Sequence, residues 1–499
     1  MKIEKAHIDH INTQFAEMQT KEDLAKLLSD AKNFLYGEEC KPIKLKALTY
    51  YANPEICKKR YKTFTVKKKS GADRTIHAPV KGLKSICRAL NFVLQCLYEP
   101  HQAATGFVMD KSIVDNAKKH VGNHYVYNLD LKDFFHSFDL YRVKFGLLNE
   151  IWGIYNLKKY RQAHKADFKT KDSLAFLIAC LTTHPFKVED EIKTLLPQGS
   201  PASPTLTNIL CKKLDRRLQG LAKRFNLNYS RYADDITFSS MHNVYQDESE
   251  FLKELQRIIK DQNFEIKASK TRLQKSDFRQ EVTGLKVNHK VNVNKRYIKQ
   301  LRMWLYYWEK YGYEKAKEIF KRDYLADKGH VKNMKNRFVN VLSGKLEYLK
   351  MVKGENDGTY RKLNQRFEKL LPKNSSIDKI LDIWGNNNIE NAIKEFDALN
   401  GNTESYKPLK SYFELTGSHE FVLKGNSILL YDITGKLMTT ILIPKKLENK
   451  VNTKSIDEAF KDDVLEHNFC VAINGYDNKN WLYISQRIEL DTKTIDNLL

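Results

Sequence analysis

Long apolar runs are missing from this chain of 499 residues. The most apolar stretch, Leu174 to Leu181, is far too short to span a bilayer, so no membrane partner is expected. Met1 to His10 is charged and lacks the apolar core of a signal peptide, which fits a cytoplasmic location. Seven cysteines (Cys40, Cys57, Cys87, Cys96, Cys180, Cys211 and Cys470) form no CxxC pair, arguing against a zinc ribbon and against a disulfide framework. The 14 histidines show no metal-site spacing, and His7 with His10 reads as a solvated helix face. Internal repeats and low-complexity tracts are absent. Acidic residues are also scarce: 61 Asp and Glu stand against 85 Lys and Arg, a formal charge of +24 and a pI of about 9.4. Such an excess calls for a polyanionic partner, nucleic acid first. With 41% hydrophobic residues the chain can bury sizeable cores, and its length suits about three folding units.

Residues 1–50 read as short amphipathic helices, with Thr20 and Asp23 spaced as a capping box. The texture changes at Tyr61. Strand-like Thr63–Val66 leads through Lys67, Lys68 and Lys69, a Ser70-Gly71 turn and Arg74 into strand-like Thr75–Ala78. A hairpin loaded with cations is costly unless it is solvated or holds an anion. Residues 80–98 follow as a helix, and Tyr125–Leu129 as a strand with Asp130 at its end. Residues 139–182 are mainly helical, with a Lys-rich connector near 158–172. Leu195–Pro204 is a Pro/Gly loop opening onto a helix over 203–223, whose free amides can meet phosphate. Tyr229–Ser240 reads as a strand, a tight turn and a returning strand, with Asp234 and Asp235 at the tip. Ser249 caps a helix to Asp261, Phe264–Lys267 and Val282–Val287 read as short strands, and 294–371 is helical, basic and aromatic. Pro372–Ser376 is the best linker, and the tail beyond it carries helices and two hairpins turning near Gly435 and Gly475.

Three acids stand out: Asp130 after one strand, Asp234 and Asp235 in a hairpin turn. Phosphoryl transfer by two metals uses such carboxylates to bridge cations about 3.5–4 Å apart, one activating a 3′-hydroxyl and one stabilising the leaving pyrophosphate. Positioning and charge then decide the rate. In that chemistry the cationic hairpin, with Lys68, Lys69 and Arg74, neutralises a triphosphate, Gln198 hydrogen-bonds nucleotide or template, and bulky Phe135 blocks a ribose 2′-hydroxyl.

The ordered set resembles the palm and fingers of a reverse transcriptase. It comprises the Lys67–Arg74 hairpin, Leu129-Asp130 through Asp133, Phe134 and Phe135, Leu196-Pro197-Gln198-Gly199 with Ser203-Pro204, Tyr232-Ala233-Asp234-Asp235, Lys270 and Gly284. It covers roughly residues 45–370. The resemblance implies Asp130, Asp234 and Asp235 as carboxylates for two Mg²⁺ ions (Mn²⁺ as a substitute), Phe135 as the steric gate and Lys270 as a proton donor to pyrophosphate. Asp133, Phe134, Gln198 and the hairpin cations would contact dNTP. Asn116-Ala117-x-x-His120 and Val282-Thr283-Gly284 further resemble marks of retron reverse transcriptases and the related defence-associated group, which copy a dedicated noncoding RNA and act against phages. Asn116, His120 and Lys286, and Arg302 in the basic helical region 294–371, are expected to contact RNA.

The expected fold is α+β: a right-hand polymerase with fingers, a palm built on an antiparallel sheet and a helical thumb, plus a small C-terminal α/β domain. The expected divisions are an N-terminal helical segment at 1–50, fingers at 51–125 with part of 139–200, palm at 126–290, thumb at 291–371 and an accessory domain at 376–499. That accessory domain would pack, mediate homo-oligomers or contact RNA. The tail carries no maturase or HNH signature, which argues against a mobile group II intron protein. Expected partners are a cognate noncoding RNA, its DNA product and dNTPs. Two other readings compete: a non-catalytic RNA-binding scaffold, which the acidic triad disfavours by repelling RNA, and untemplated or protein-primed synthesis. A ring stripe at Trp304, Tyr307 and Trp308 would either stack on bases or form core.

Overall fold

In a computed structural model, residues 3–37, 40–67, 73–327 and 338–371 are described, together with six strands between 418 and 497. Lys68 and Lys69 lie outside the described residues. The chain divides into two compact units, Met1–Leu363 and Asn364–Leu499.

The first unit begins with helices Lys5–Glu17, Lys21–Tyr36 and Leu45–Ala52. Thr20 caps the second as its sequence suggests: Thr20 Oγ1 accepts from the Asp23 amide, and Asp23 Oδ2 accepts from the Thr20 amide at 2.8 Å. Leu24, Leu27 and Leu28 pack onto the apolar face of helix Lys81–Leu97, where Leu83, Ile86, Leu90, Val93 and Leu94 are buried. In the chain, a hairpin of β1 (Tyr61–Lys67) and β2 (Asp73–Pro79) precedes that helix, in register from Tyr61 opposite Pro79 to Lys67 opposite Asp73.

The sheet at the heart of this unit has four strands. β3 (Tyr125–Asp130) lies between β7 (Asp235–Ser240) and β8 (Arg272–Lys275), and β6 (Asn228–Tyr232) pairs with β7 on the outside. A separate hairpin, β4 (His184–Val188) with β5 (Glu191–Leu195), precedes the Pro/Gly loop. One face of the sheet is closed by apolar side chains: Ile236 and Phe238 are fully buried, and Phe238 meets Tyr229 and Phe251 at 5.0 and 5.2 Å. Burial of rings on a pleated surface is the main favourable term here.

Three local expectations are corrected. The helix over 203–223 breaks at Cys211 into Ser203–Leu210 and Lys212–Arg224. Phe264–Lys267 does not join the sheet as a strand; Ile266 alone bridges Leu131. Val282–Val287 is not one strand but a minimal hairpin, β9 (Glu281–Val282) and β10 (Leu285–Lys286). Its two turn residues, Thr283 (φ 48°) and Gly284 (φ 81°), both take left-handed backbone, the geometry that reverses a strand in two residues.

Helices Lys295–Asp327, Phe338–Lys353 and Gly358–Leu370 follow, the first bent at Gly312 (φ 78°). Trp304 is fully buried against Phe320 and Phe338, and Trp308 is buried against Phe338. Neither indole is available for base stacking; Tyr306 and Tyr311 are the exposed rings of this helix.

In the second unit six antiparallel strands pair in the order β11 (Ser418–Lys424), β12 (Ser427–Asp432), β13 (Leu437–Leu442), β16 (Thr494–Asn497), β15 (Leu482–Ile484) and β14 (Phe469–Val471). The hairpins read around Gly435 and Gly475 correspond to β12–β13 and β14–β15. The expected helices of this domain lie outside the described residues. No helix among the described residues is long and apolar enough to cross a membrane.

Candidate active site

β3 and β7 run antiparallel with Asp130 directly opposite Asp235. Side chains so placed have their Cβ atoms about 4.5–5.5 Å apart. Asp234 occupies the two-residue turn between β6 and β7 together with Ala233, whose φ of 58° is left-handed. For a residue with a Cβ that conformation costs roughly 1–2 kcal/mol, strain stored next to the acids. The turn is clamped to the end of β3, because the Leu131 amide donates to the Asp234 carbonyl at 3.0 Å. Lys270, at the end of a short 3₁₀ turn (Ala268–Lys270), donates from Nζ to Asp130 Oδ2 at 2.7 Å.

Asp234 and Asp235 are held where their charges are costly. Burial, then the neighbouring Asp234 and Asp130, pushes the Asp235 carboxyl up to about 7. Burial, then Asp130, also raises Asp234, against the opposing pull of Lys270 and Arg74. Arg74, on β2, is therefore close enough to act electrostatically on the turn. Among the described residues no three Asp, Glu, His or Cys side chains are drawn together tightly enough to cage an ion unaided. The donor set fits Mg²⁺ nonetheless: hard carboxylate oxygens that repel one another. Mg²⁺ takes one or two carboxylates and completes its shell with water and phosphate.

A buried network below the turn escaped sequence reasoning. Asp215 and Arg231 are both fully buried and form a two-pronged ion pair, Nε to Oδ1 at 2.7 Å and Nη2 to Oδ2 at 2.6 Å. Tyr229 donates its hydroxyl to Asp215 Oδ1 at 2.7 Å. Arg231 Nη1 then donates to the Ala233 carbonyl at 3.2 Å, and Nη2 to Asn208 Oδ1 at 3.2 Å. The guanidinium thus holds the acidic turn from beneath. Gly106 packs behind the same turn, where an added Cβ would meet the Ala233 amide nitrogen at 2.6 Å. One signal in the sequence was available: Asp215 falls in helical phase with buried Leu214, Leu218 and Leu221.

Phe135 is half-buried beside Phe107 (6.3 Å) and Phe134 (5.6 Å). Phe134, expected to contact dNTP, is instead a core residue packed on Phe138 and Phe264, so its ring is unavailable to a ligand. Asp133 is exposed with φ 45°. Gln198 is half-buried, and its carbonyl accepts from the His77 amide of β2 at 2.8 Å. Gly199 (φ 127°) lies so close to β2 that a Cβ would sit 2.8 Å from the His77 carbonyl oxygen. The Pro/Gly loop is thereby docked on the cationic hairpin.

The expected RNA contacts divide. Asn116 and His120 are fully buried, which removes them from direct contact with RNA. His120 bridges two strands of the sheet, Nδ1 to Ser239 Oγ and Nε2 to Ser230 Oγ, both at 2.7 Å, while Asn116 Oδ1 accepts from Thr105 Oγ1. The two sequence marks nevertheless meet in space: Thr283 Oγ1 donates to the Ile113 carbonyl at 3.3 Å, and the Gly122 amide to the Val287 carbonyl at 3.0 Å. Lys286 is half-buried on β10 and Arg302 is exposed.

An antiparallel sheet presenting one strand-end acid against an acidic hairpin turn defines the palm of a templated nucleic-acid polymerase. The chain belongs to the reverse transcriptases, in the retron type found in bacteria. Residues 157–295 match the family model "Reverse transcriptase (RNA-dependent DNA polymerase)". The retron Ec86 reverse transcriptase of Escherichia coli is 32% identical over 251 residues, 49% of this chain and 68% of that protein. The retron Mx65 enzyme of Myxococcus xanthus is 32% identical over 307 residues, covering 60% and 62%, and the Mx162 enzyme of the same organism 36% identical over 247 residues, covering 46% and 47%. The chain thus spans about half to two thirds of the length of these two Myxococcus relatives. Among solved structures, telomerase from Candida albicans with a fragment of telomeric RNA aligns over 62% of this chain and 63% of its own, at 12% identity and a TM-score of 0.33, too low to weigh.

Proposed function

We propose that this protein is an RNA-directed DNA polymerase that copies a structured noncoding RNA into DNA, as part of a defence against phages. The observation that carries the reading is the facing of Asp130 and Asp235 beside Asp234, with Asp235 pushed up to about 7 by burial and by its acidic neighbours. Such a cluster gains most from divalent cations.

Asp130, Asp234 and Asp235 would hold two Mg²⁺ ions, with Mn²⁺ as a substitute; when bound, the ions supply charge stabilisation and an activated 3′-hydroxyl. The chain's own groups do the rest. Arg74, with Lys68 and Lys69, receives the triphosphate. Asp133 and Gln198 flank the nucleotide, and the Phe135 ring excludes a ribose 2′-hydroxyl. Lys270, which donates to Asp130 at 2.7 Å, would protonate the leaving pyrophosphate. Arg302 and Lys286 take backbone phosphates of the template duplex. In this reading residues 51–125 with part of 139–200 are fingers, 126–290 palm, 291–371 thumb and 376–499 an accessory domain.

Primer extension on an RNA template with labelled dNTPs tests the proposal. The wild type should incorporate dNTP only when Mg²⁺ or Mn²⁺ is present, and a variant carrying Asp234→Ala and Asp235→Ala should not. Incorporation by that double variant would remove the assignment.

A further inference from the structure

The Lys-rich connector has no part in the site described above. It folds into helix Leu157–Ala163 and the start of helix Lys165–Thr182, which pack with helix Leu140–Glu150 around a cleft of about 920 Å³. That size falls at the upper end of the roughly 300–1,000 Å³ typical of ligand clefts. Lys144, Lys158, Arg161, Lys165 and Lys169 line it, against one acid, Asp172. Asp172 is already spent on Lys144 at 2.7 Å. Lys158, Arg161, Lys165 and Lys169 are exposed and form no ion pair with a described residue. The joint between the two helices is braced: Tyr160 donates to Asp167 at 2.6 Å, and Lys171 reaches both.

Aromatic rings sit among these cations. Phe145 and Phe168 line the cleft, Phe145 is 39% exposed, and Tyr141 beside it, 61% exposed, stacks on it at 6.3 Å. Unpaired cations alone would fit any solvated face. Cations interleaved with exposed rings, in a concave site, fit a chain that offers both phosphates and flat bases. A duplex offers the phosphates but hides its bases.

We propose that this cleft is a second RNA-binding site, taking an unpaired stretch of the protein's RNA. It shares no lining residue with the acidic site. Arg161, Lys165 and Lys169 hold the backbone, and Phe145 stacks on a base. The proposal rests on the reading that the partner is RNA, but not on the polymerase chemistry.

The test uses the full chain and two variants: Arg161→Ala/Lys165→Ala/Lys169→Ala, and Phe145→Ala. All changed side chains are at least partly exposed, and melting curves check folding. Fluorescence anisotropy measures binding of labelled single-stranded oligouridylate, and of an RNA duplex of equal length, across a salt series. The triple variant should bind the single strand at least about tenfold more weakly, and its log–log salt slope should flatten by about 2, three phosphate contacts at about 0.7 each. Phe145→Ala should weaken single-strand binding about fivefold or more, with an unchanged slope and little effect on the duplex. DNA synthesis on a polyadenylate template primed with oligothymidylate should stay at the wild-type level in both. Wild-type affinity and slope in either variant would overturn the cleft assignment, including the case in which an acidic protein is the true occupant. Variant-sensitive RNA binding by a chain that makes no DNA would instead overturn the polymerase reading and leave this one standing.

Discussion

Single residues around the acidic turn make separable contributions. Arg231 is the most constrained of them, since a buried guanidinium must keep its counter-charge. Asp215→Asn leaves it uncompensated and should cost about 3–5 kcal/mol in urea unfolding. Asp215→Leu with Arg231→Met removes both charges and should recover much of that stability. DNA synthesis should stay low in the double variant, because nothing then donates to the Ala233 carbonyl. Gly106→Ala tests the same turn from its other side. Its new Cβ meets backbone, not a flexible side chain, so the turn must move, and kcat should fall by roughly tenfold or more with little change in dNTP KM. His120 gives a pH signature. Burial, then Lys119, pushes its imidazole down to about 3. Between that value and its ordinary pKa, the unfolded chain binds a proton that the folded chain does not. Stability from His120 is thus complete above pH of about 6.5 and drains away as pH falls towards 3. Asp235 works in the opposite sense, since its raised carboxyl holds a proton in the folded state up to about pH 7. The loss of unfolding free energy on acidification should therefore be smaller in His120→Gln than in the wild type, measured by denaturant titration at each pH.

At the scale of elements, legibility followed how local each signal was. The β6–turn–β7 hairpin could be read because its ring- and β-branched strands and its acidic tip lie within twelve residues of sequence, Tyr229–Ser240. Capping by Thr20 and Ser249 was legible for the same reason. The Asp215–Arg231 pair was not: inside Lys-Lys-Leu-Asp-Arg-Arg-Leu an acid among cations looks like a solvated helix face, and only the packed sheet shows that it points inward. Asn116, His120 and Phe134 are buried rather than ligand-facing, and polarity or a motif position does not reveal burial. Trp304 and Trp308 show the converse, rings on a basic helix that serve the core. The Pro/Gly loop was legible as a loop, but its seat on β2 depends on a close approach that only glycine allows. Gly199→Ala adds a Cβ 2.8 Å from the His77 carbonyl at a φ of 127° and should loosen the hairpin from the loop. The expected readout is a raised dNTP KM in primer extension, with Arg74 less well placed.

For the molecule as a whole, charge and architecture agree. A chain with a formal charge of +24 brings three acids to one end of a sheet, Asp130 facing Asp235 with Asp234 in the adjoining turn. Arg74 of the β1–β2 hairpin and Lys270 act on them electrostatically, and a separate lysine-lined cleft is built from residues 144–172. In its proposed role Asp235 must lose a proton before it holds a cation, so the Mg²⁺ concentration for half-maximal synthesis should fall as pH rises through about 7. Phe135→Ala should admit ribonucleotides, read as a drop in dNTP-over-rNTP selectivity. The most direct test of the central claim is Mg²⁺-dependent DNA synthesis on an RNA template by Asp235→Asn, which keeps the side-chain shape and removes only the charge. Synthesis at background in this folded variant, with full synthesis by the wild type, is the predicted result. Wild-type synthesis by Asp235→Asn would contradict the account.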